Sequence, residues 1–223
     1  MIELKNISKK YGSTLAIKEV SLALPQGQIV GLFGENGAGK TTLLKCILGL
    51  LPYEGTITLD GAPVTEKNIE RLSFATCEHS FFPALSPKAH RDFYQAHFPR
   101  FNDRRFQALM KFFGLPMEKQ LRAFSAGMKN QFEVIMALSQ GADYILMDEP
   151  FAALDLPAKQ DALQFMQYYL SLGNSIIVAS HEEAVFQFCH KVYLLKNGGL
   201  IDTSQMTGTI TNYIDLLRNE KES

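Results

Sequence analysis

Eight consecutive residues hold most of the chemistry visible in this chain. Gly34-Glu35-Asn36-Gly37-Ala38-Gly39-Lys40-Thr41 satisfies G-x-x-x-x-G-K-[ST] at every fixed position. Glycines let a backbone curl until successive N–H groups face one polyanion, and a helix N-terminus adds about half a positive charge. In such a loop Asn36, Gly37, Ala38 and Thr42 contribute to the cradle. Lys40 reaches the β- and γ-phosphates of a nucleotide, and the Thr41 hydroxyl can ligate Mg²⁺. The pattern points to a nucleoside triphosphate.

A second cluster lies about a hundred residues later. Tyr144-Ile145-Leu146-Met147 leads into Asp148-Glu149-Pro150. A buried parallel strand that ends in two carboxylates presents them at the sheet edge where ligands bind. Asp148 is placed to hold Mg²⁺ through water, since Mg²⁺ keeps much of its hydration shell. Glu149 is placed to polarise a water attacking the γ-phosphate, a role worth roughly 10²–10⁴-fold in rate. Ser180-His181 follows strand Ser175–Ala179, so the His181 ring arrives at the same edge. There it either donates to the γ-phosphate or holds Glu149 and the attacking water.

The elements needed to position these residues are legible in outline. Before the glycine loop stands the apolar run Gln28–Phe33, and after it a helix from Thr42 to Leu48. Alternating residues in Ile2-Glu3-Leu4, Leu22-Ala23-Leu24 and Thr56–Leu59, with turns at Tyr11-Gly12-Ser13 and Asp60-Gly61, predict a β-rich N-terminal part. Strand Leu72–Ala75 follows. Between about 84 and 140 helical patterns take over, punctuated by Pro87, Pro99 and Pro116 and crowded with Phe93, Tyr94, Phe98, Phe101, Phe106, Phe112 and Phe113. Strand–helix alternation then resumes with Tyr144–Met147, Pro157–Leu170, Ser175–Ala179 and Glu182–Phe188. It closes in a hairpin, Lys191–Lys196 with Leu200–Thr203, and a short helix near Tyr213–Arg218. The expected fold is α/β: a phosphate-loop NTPase core with a parallel sheet, an antiparallel N-terminal β part and an inserted helical lobe. The division is one domain over 1–223, with core 1–83 and 141–223 and helical subdomain 84–140.

Composition limits the setting. The chain has 223 residues and 46% hydrophobic content, enough for a substantial core. Its 22 basic and 23 acidic residues nearly cancel, so no global field steers it to nucleic acid or an anionic membrane. Three cysteines, far apart, suit a reducing compartment. No signal core or run of about 20 apolar residues is seen. The expectation is a soluble cytoplasmic protein that meets the membrane only through a partner.

With these motifs in hand, the chain resembles the ATP-binding subunits of bacterial ABC transporters over about residues 1–203. Phe124-Ser125-Ala126-Gly127-Met128-Lys129 is similar to that family's signature LSGGQ and stands ahead of helix Asn130–Leu138. Ser125 and Gly127 form an anion site at a helix N-terminus that has no lysine or metal ligand of its own. The resemblance implies a second ABC ATPase subunit, in a homo- or heterodimer, each signature capping the other's ATP, and a transmembrane permease. It also implies Tyr11 as the aromatic that stacks on adenine, and Ala153-Leu154-Asp155 near the catalytic glutamate. The signature and His97–Asn102 resemble the bacitracin-export and YtrB-like branch, which implies export.

One departure stands out. The family ends strand Leu72–Ala75 with a glutamine that touches Mg²⁺; here Thr76-Cys77-Glu78-His79 stands instead. Cys77 is a poor ligand for a cation that prefers hard oxygens, whereas Glu78 offers a charged oxygen. Two other readings therefore stay open: an ABC-type ATPase that regulates a non-transporting membrane partner, and a catalytically weak nucleotide-binding assembly module. Intact Lys40, Asp148, Glu149 and His181 speak for catalysis, and the missing glutamine for the last.

Overall fold

Alternating apolar and polar residues at the start of the chain pair as a hairpin, β1 (Ile2–Tyr11) and β2 (Thr14–Leu24), turned at Gly12-Ser13. The structure, a computed structural model, describes residues 1–152 and 156–203. Strand β3 (Ile29–Phe33) runs into the glycine loop and helix α1 (Lys40–Ile47). Then come β4 (Glu54–Leu59), the short β5 (Ala62–Pro63) and β6 (Leu72–Thr76). Helices α2 (Pro87–His97), α3 (Asp103–Phe112) and α4 (Ala126–Ser139) separate β6 from β7 (Tyr144–Asp148). The remainder is α5 (Leu156–Ser171), β8 (Ser175–Ser180), α6 (Glu183–Phe186), β9 (Lys191–Lys196) and β10 (Gly199–Asp202).

Two sheets result. One is antiparallel, in the order β2-β1-β4-β5; the other runs β10-β9-β3-β8-β7-β6 and is parallel except for its edge strand β10. Side chains along the parallel strands alternate between two cores, as a period of two requires. Ile145, Met147, Ile176 and Val178 face the core shared with α4 and α5. Leu146, Ile177, Val30 and Leu32 face a second core with the antiparallel sheet, in which Leu43, Leu44 and Ile47 of α1 are buried. Helix α1 is thus wedged between the sheets, and the loop before it is held from both sides.

Local chemistry starts each lobe helix. Ser86 caps α2 by accepting from Ala89 N (3.3 Å), with Pro87 in the first turn; Asn102 caps α3 by accepting from Arg105 N (2.9 Å). Ser125 accepts from Met128 N (3.2 Å), so α4 starts at Ala126, four residues before the expected Asn130. Asp148 lies inside β7, beyond the expected end at Met147, because it pairs with Thr76 and Ala179. Helix α6 stops at Phe186, short of Phe188, where Phe188 N and Cys189 N donate to Val185 O and Phe186 O and turn the chain toward β9. The segment Ala153-Leu154-Asp155 and the helix expected near Tyr213–Arg218 lie outside the described residues. Among the described residues no helix is long and apolar enough to cross a membrane.

The lobe's aromatics divide between inside and outside. Phe106 is fully buried, Tyr94, Phe101 and Phe113 pack against the core, and Phe93, Phe98 and Phe112 are exposed. Within this apolar setting α4 also buries a carboxyl, Glu133, only 3% exposed. Burial pushes it up to about 7, against the pull of two donors from Ser80. Lys129 on its own helix and His79 on the neighbouring loop line the same small cavity, while Tyr94 and His90 approach from α2.

Between the ordinary glutamate value and 7 the folded state binds a proton that the unfolded chain has already lost. Stability from this group is therefore present at low pH and declines as pH rises through 7, by up to about 3 kcal/mol. Thermal melting of wild type and Glu133→Gln across pH 5 to 8.5 checks this. The stability of wild type relative to the variant is expected to fall with rising pH, and a constant difference contradicts the assignment.

Candidate active site

Strand β3 delivers the chain to the loop through Gly34, packed so closely on the Leu195 carbonyl that a Cβ would come within 2.6 Å of it. At the other end Gly39 has φ +107° and caps α1; a side chain there would meet Ile17 Cδ1 at 2.7 Å and Ala16 O at 2.8 Å. Steric crowding and a left-handed backbone both demand glycine. Ala38 N donates to Glu35 O (3.1 Å), folding the loop over, while Asn36 and Gly37 stay exposed. Lys40 tucks beneath it, 6% exposed, its Nζ donating to Gly34 O (2.6 Å) and Glu35 O (3.2 Å). Thr41 and Thr42 occupy the first turn of α1, half-buried.

Register brings the second cluster to the same edge. Thr76 pairs with Asp148, Asp148 with Ala179, and Phe33 with Ser180, so β6, β7, β8 and β3 end together. Thr41 Oγ1 donates to Asp148 Oδ2 (2.6 Å), joining loop and strand. Asp148 Oδ1 is buried with no hydrogen-bond partner among the described residues. Burial raises the Asp148 carboxyl above its usual range, opposed by the Thr41 hydroxyl. A hydroxyl beside a carboxylate with one open oxygen suits a small hard cation such as Mg²⁺.

Glu149 has the most constrained geometry. Its φ of +47° is a left-handed conformation uncommon outside glycine. Its N–H donates to Ala179 O (2.9 Å), which fixes the turn. Oε1 then lies 3.2 Å from Lys40 Nζ and 3.0 Å from His181 Nδ1. Oε2 accepts from Ser180 Oγ (3.2 Å), and that oxygen accepts in turn from Glu182 N (3.1 Å). The role of Ser180 was not apparent from sequence, although its place at a strand end just before His181 was the available signal.

The other candidates stand outside this hydrogen-bonded cluster. Tyr11 ends β1 with its ring half exposed and Lys9 Nζ 5.0 Å from its centroid. Ser125 and Gly127 stand at the N-terminus of α4, Ser125 exposed and bonded to its own helix. Glu78 is ion-paired to Lys45 (2.9 Å) with its side chain 60% exposed. Cys77 is half-buried, and burial, reinforced by Asp148, holds its thiol pKa above the usual value. Asp155 lies outside the described residues.

Comparison with known proteins agrees with this geometry. The family model described as ABC transporter matches residues 17–152. The ABC transporter ATP-binding protein YtrB of Bacillus subtilis (strain 168) is 28% identical over 221 residues, covering 97% of this chain and 76% of that protein. The methionine import ATP-binding protein MetN of Protochlamydia amoebophila (strain UWE25) is 30% identical over 227 residues, covering 92% and 67%. Among solved structures, the dimeric post-hydrolysis state of the ATP-binding cassette MJ0796 bound to ADP and Pi shares the fold, with TM-score 0.81 and 22% identity over 94% of this chain and 100% of that one. The family match spans more than half of the residues and contains the glycine loop, the capped signature helix and both carboxylates; the chain belongs to the ABC transporter family, as an ATP-binding subunit with ATPase activity.

Proposed function

We propose that this subunit hydrolyses ATP to drive a separate membrane permease, with export as the direction of transport. The observation that carries the catalytic part is the convergence of Lys40, His181 and Ser180 on one carboxylate, Glu149. The triphosphate lies along the loop from Gly34 to Thr42, with Lys40 exchanging its carbonyl partners for phosphate oxygens. Glu149 takes a proton from the attacking water while His181 and Ser180 fix its orientation. Thr41 and Asp148 are the residues that would hold Mg²⁺, which when bound would offset phosphate charge. Glu78 joins that set only by leaving Lys45. Tyr11, with its exposed face, is the adenine platform.

Ser125 is exposed at the N-terminus of α4, with Gly127 half-buried in its first turn. That supports closure over the nucleotide of a second ABC ATPase subunit, a second copy or a homologue. A groove of about 400 Å³ between the end of α1, β6 and α2 includes Leu50, Phe81, Phe82, His90 and Phe93 in its walls. Phe81 packs on Phe132 (5.2 Å between centroids) and helps to form the floor, whereas Phe82 is 68% exposed at the rim. An apolar permease helix suits this groove, and it would place the subunit at the cytoplasmic face. Export is supported by the likeness of the signature and His97–Asn102 to the exporting branch; the direction of ATP-driven flux in inside-out vesicles decides it.

Glu149→Gln is expected to bind ATP yet hydrolyse it at least about tenfold more slowly, since an amide cannot take the proton. An ATP-bound dimer should then accumulate on size exclusion, and wild-type turnover would assign the base elsewhere. Lys40→Ala acts earlier: loss of a charge-assisted contact worth about 1.5–3 kcal/mol should weaken triphosphate binding by about tenfold or more in calorimetry. Phe82→Ser should leave ATP binding by the isolated subunit intact and reduce co-purification with the permease; undiminished assembly would place the contact elsewhere.

A further inference from the structure

The loop that leaves the nucleotide edge is fastened to the signature segment at three points. It begins after Thr76, the register partner of Asp148, and runs over Cys77–Leu85. Ser80 N donates to Glu133 Oε1 (2.6 Å), and Ser80 Oγ donates to Oε2 (2.9 Å). Farther along, Arg122 N donates to Pro83 O (2.8 Å) and Leu121 N to Leu85 O (3.0 Å). Leu121 and Arg122 immediately precede Phe124-Ser125, and Glu133 lies on α4 about two turns after Ser125. The loop therefore bridges the signature from both sides.

Of these ties, the one through Glu133 is the least expected from local structure. A carboxyl in a buried apolar helix is costly unless its oxygens are satisfied, and here the donors come from a loop 53 residues away in sequence. Ser80 itself is exposed, and a cavity of about 160 Å³ lined by His79, Lys129 and Glu133, among others, lies beside the contact. Phe81, the next residue, packs on Phe132, and the hydrogen bonds to Glu133 add a directional tie beside that apolar contact.

We infer that Glu133 is a positioning residue for ATP hydrolysis: through Ser80 it locks the loop beside Asp148 to the helix that carries Ser125, so that closure of Ser125 over a phosphate and the placement of the loop change together. This rests on the reading of Ser125 as the closing element. The carboxyl touches no nucleotide and contributes only by holding the loop in register.

Steady-state hydrolysis by the full chain tests it. Glu133→Ala is expected to lower kcat by about tenfold or more, with KM for ATP within about threefold of wild type. Glu133→Gln should recover most of the rate, because its amide oxygen still accepts from Ser80 N. Ser80→Ala should cause a smaller loss alone and none further in the Glu133→Ala background. Wild-type kcat in Glu133→Ala, parallel changes in kcat and KM, or additive losses overturn the inference. If Glu133→Ala does not fold, Glu133→Leu, which keeps the packing volume but accepts no hydrogen bond, takes its place in the cycle with Ser80→Ala under the same criteria. Ser125→Ala separates this inference from its premise. Unchanged hydrolysis in Ser125→Ala overturns the closing role, whereas loss in Ser125→Ala with none in Glu133→Ala overturns the role of Glu133 alone.

Discussion

A buried ammonium group organises this molecule. Lys40 is almost wholly removed from water, and an unpaired charge in that position would cost several kcal/mol. It is stabilised by two carbonyls of the loop that precedes it and by the carboxylate of Glu149. Each partner imposes a requirement. The carbonyls are in reach only if the loop curls back through Gly34 and Gly39, and the carboxylate only if β7 ends level with β3. All three contacts can be replaced by phosphate oxygens, so a site held together by Lys40 is already arranged for a polyanion.

The sheet meets the second requirement by register rather than by any local signal. Strands β3, β8, β7 and β6 are parallel, and their pairings bring Phe33, Ser180, Asp148 and Thr76 to a common edge. Both faces of that sheet are covered by apolar cores, which leaves the edge as the place where polar side chains can meet a ligand. The left-handed turn at Glu149 is sustained there by Ala179 O, Ser180, His181 and Lys40 acting on one residue. Strain of this kind persists only where the surroundings over-determine it.

Legibility followed the range of each interaction. The glycine loop could be read because sterics and phosphate geometry dictate residue types within eight positions. The carboxylates could be read because four apolar residues in a row lead directly into them. Ser180 escaped notice because its partner is 31 residues away and only parallel pairing unites them. Glu133 escaped for the same reason over 53 residues, and one acidic residue in an apolar helix carries no sign of its donor. Helix α4 was expected to start too late because the capping hydroxyl of Ser125 was read only as part of the signature. For Glu78 the sequence supplied an oxygen at the right distance along the chain, while Lys45, one turn into α1, engages it in the structure.

Helix α4 connects these themes. From Asn130 to Ser139 its residues apart from Gln131 are buried, and Ser73 Oγ donates to Ala137 O (3.1 Å), so this half moves with the sheet. At its other end Ser125 and Ala126 are exposed. A helix embedded at one end and exposed at the other is a stiff link between the packed core and whatever meets its N-terminus. On the proposed reading that encounter is with a second subunit's nucleotide. The energy of closing is then delivered to a rigid rod whose base lies against β6, the strand that leads into the loop beside Asp148 and on to the rim of the groove. Communication between nucleotide and membrane partner needs no long chain of side-chain rearrangements in such a design. It needs only that the rod and the loop stay in register.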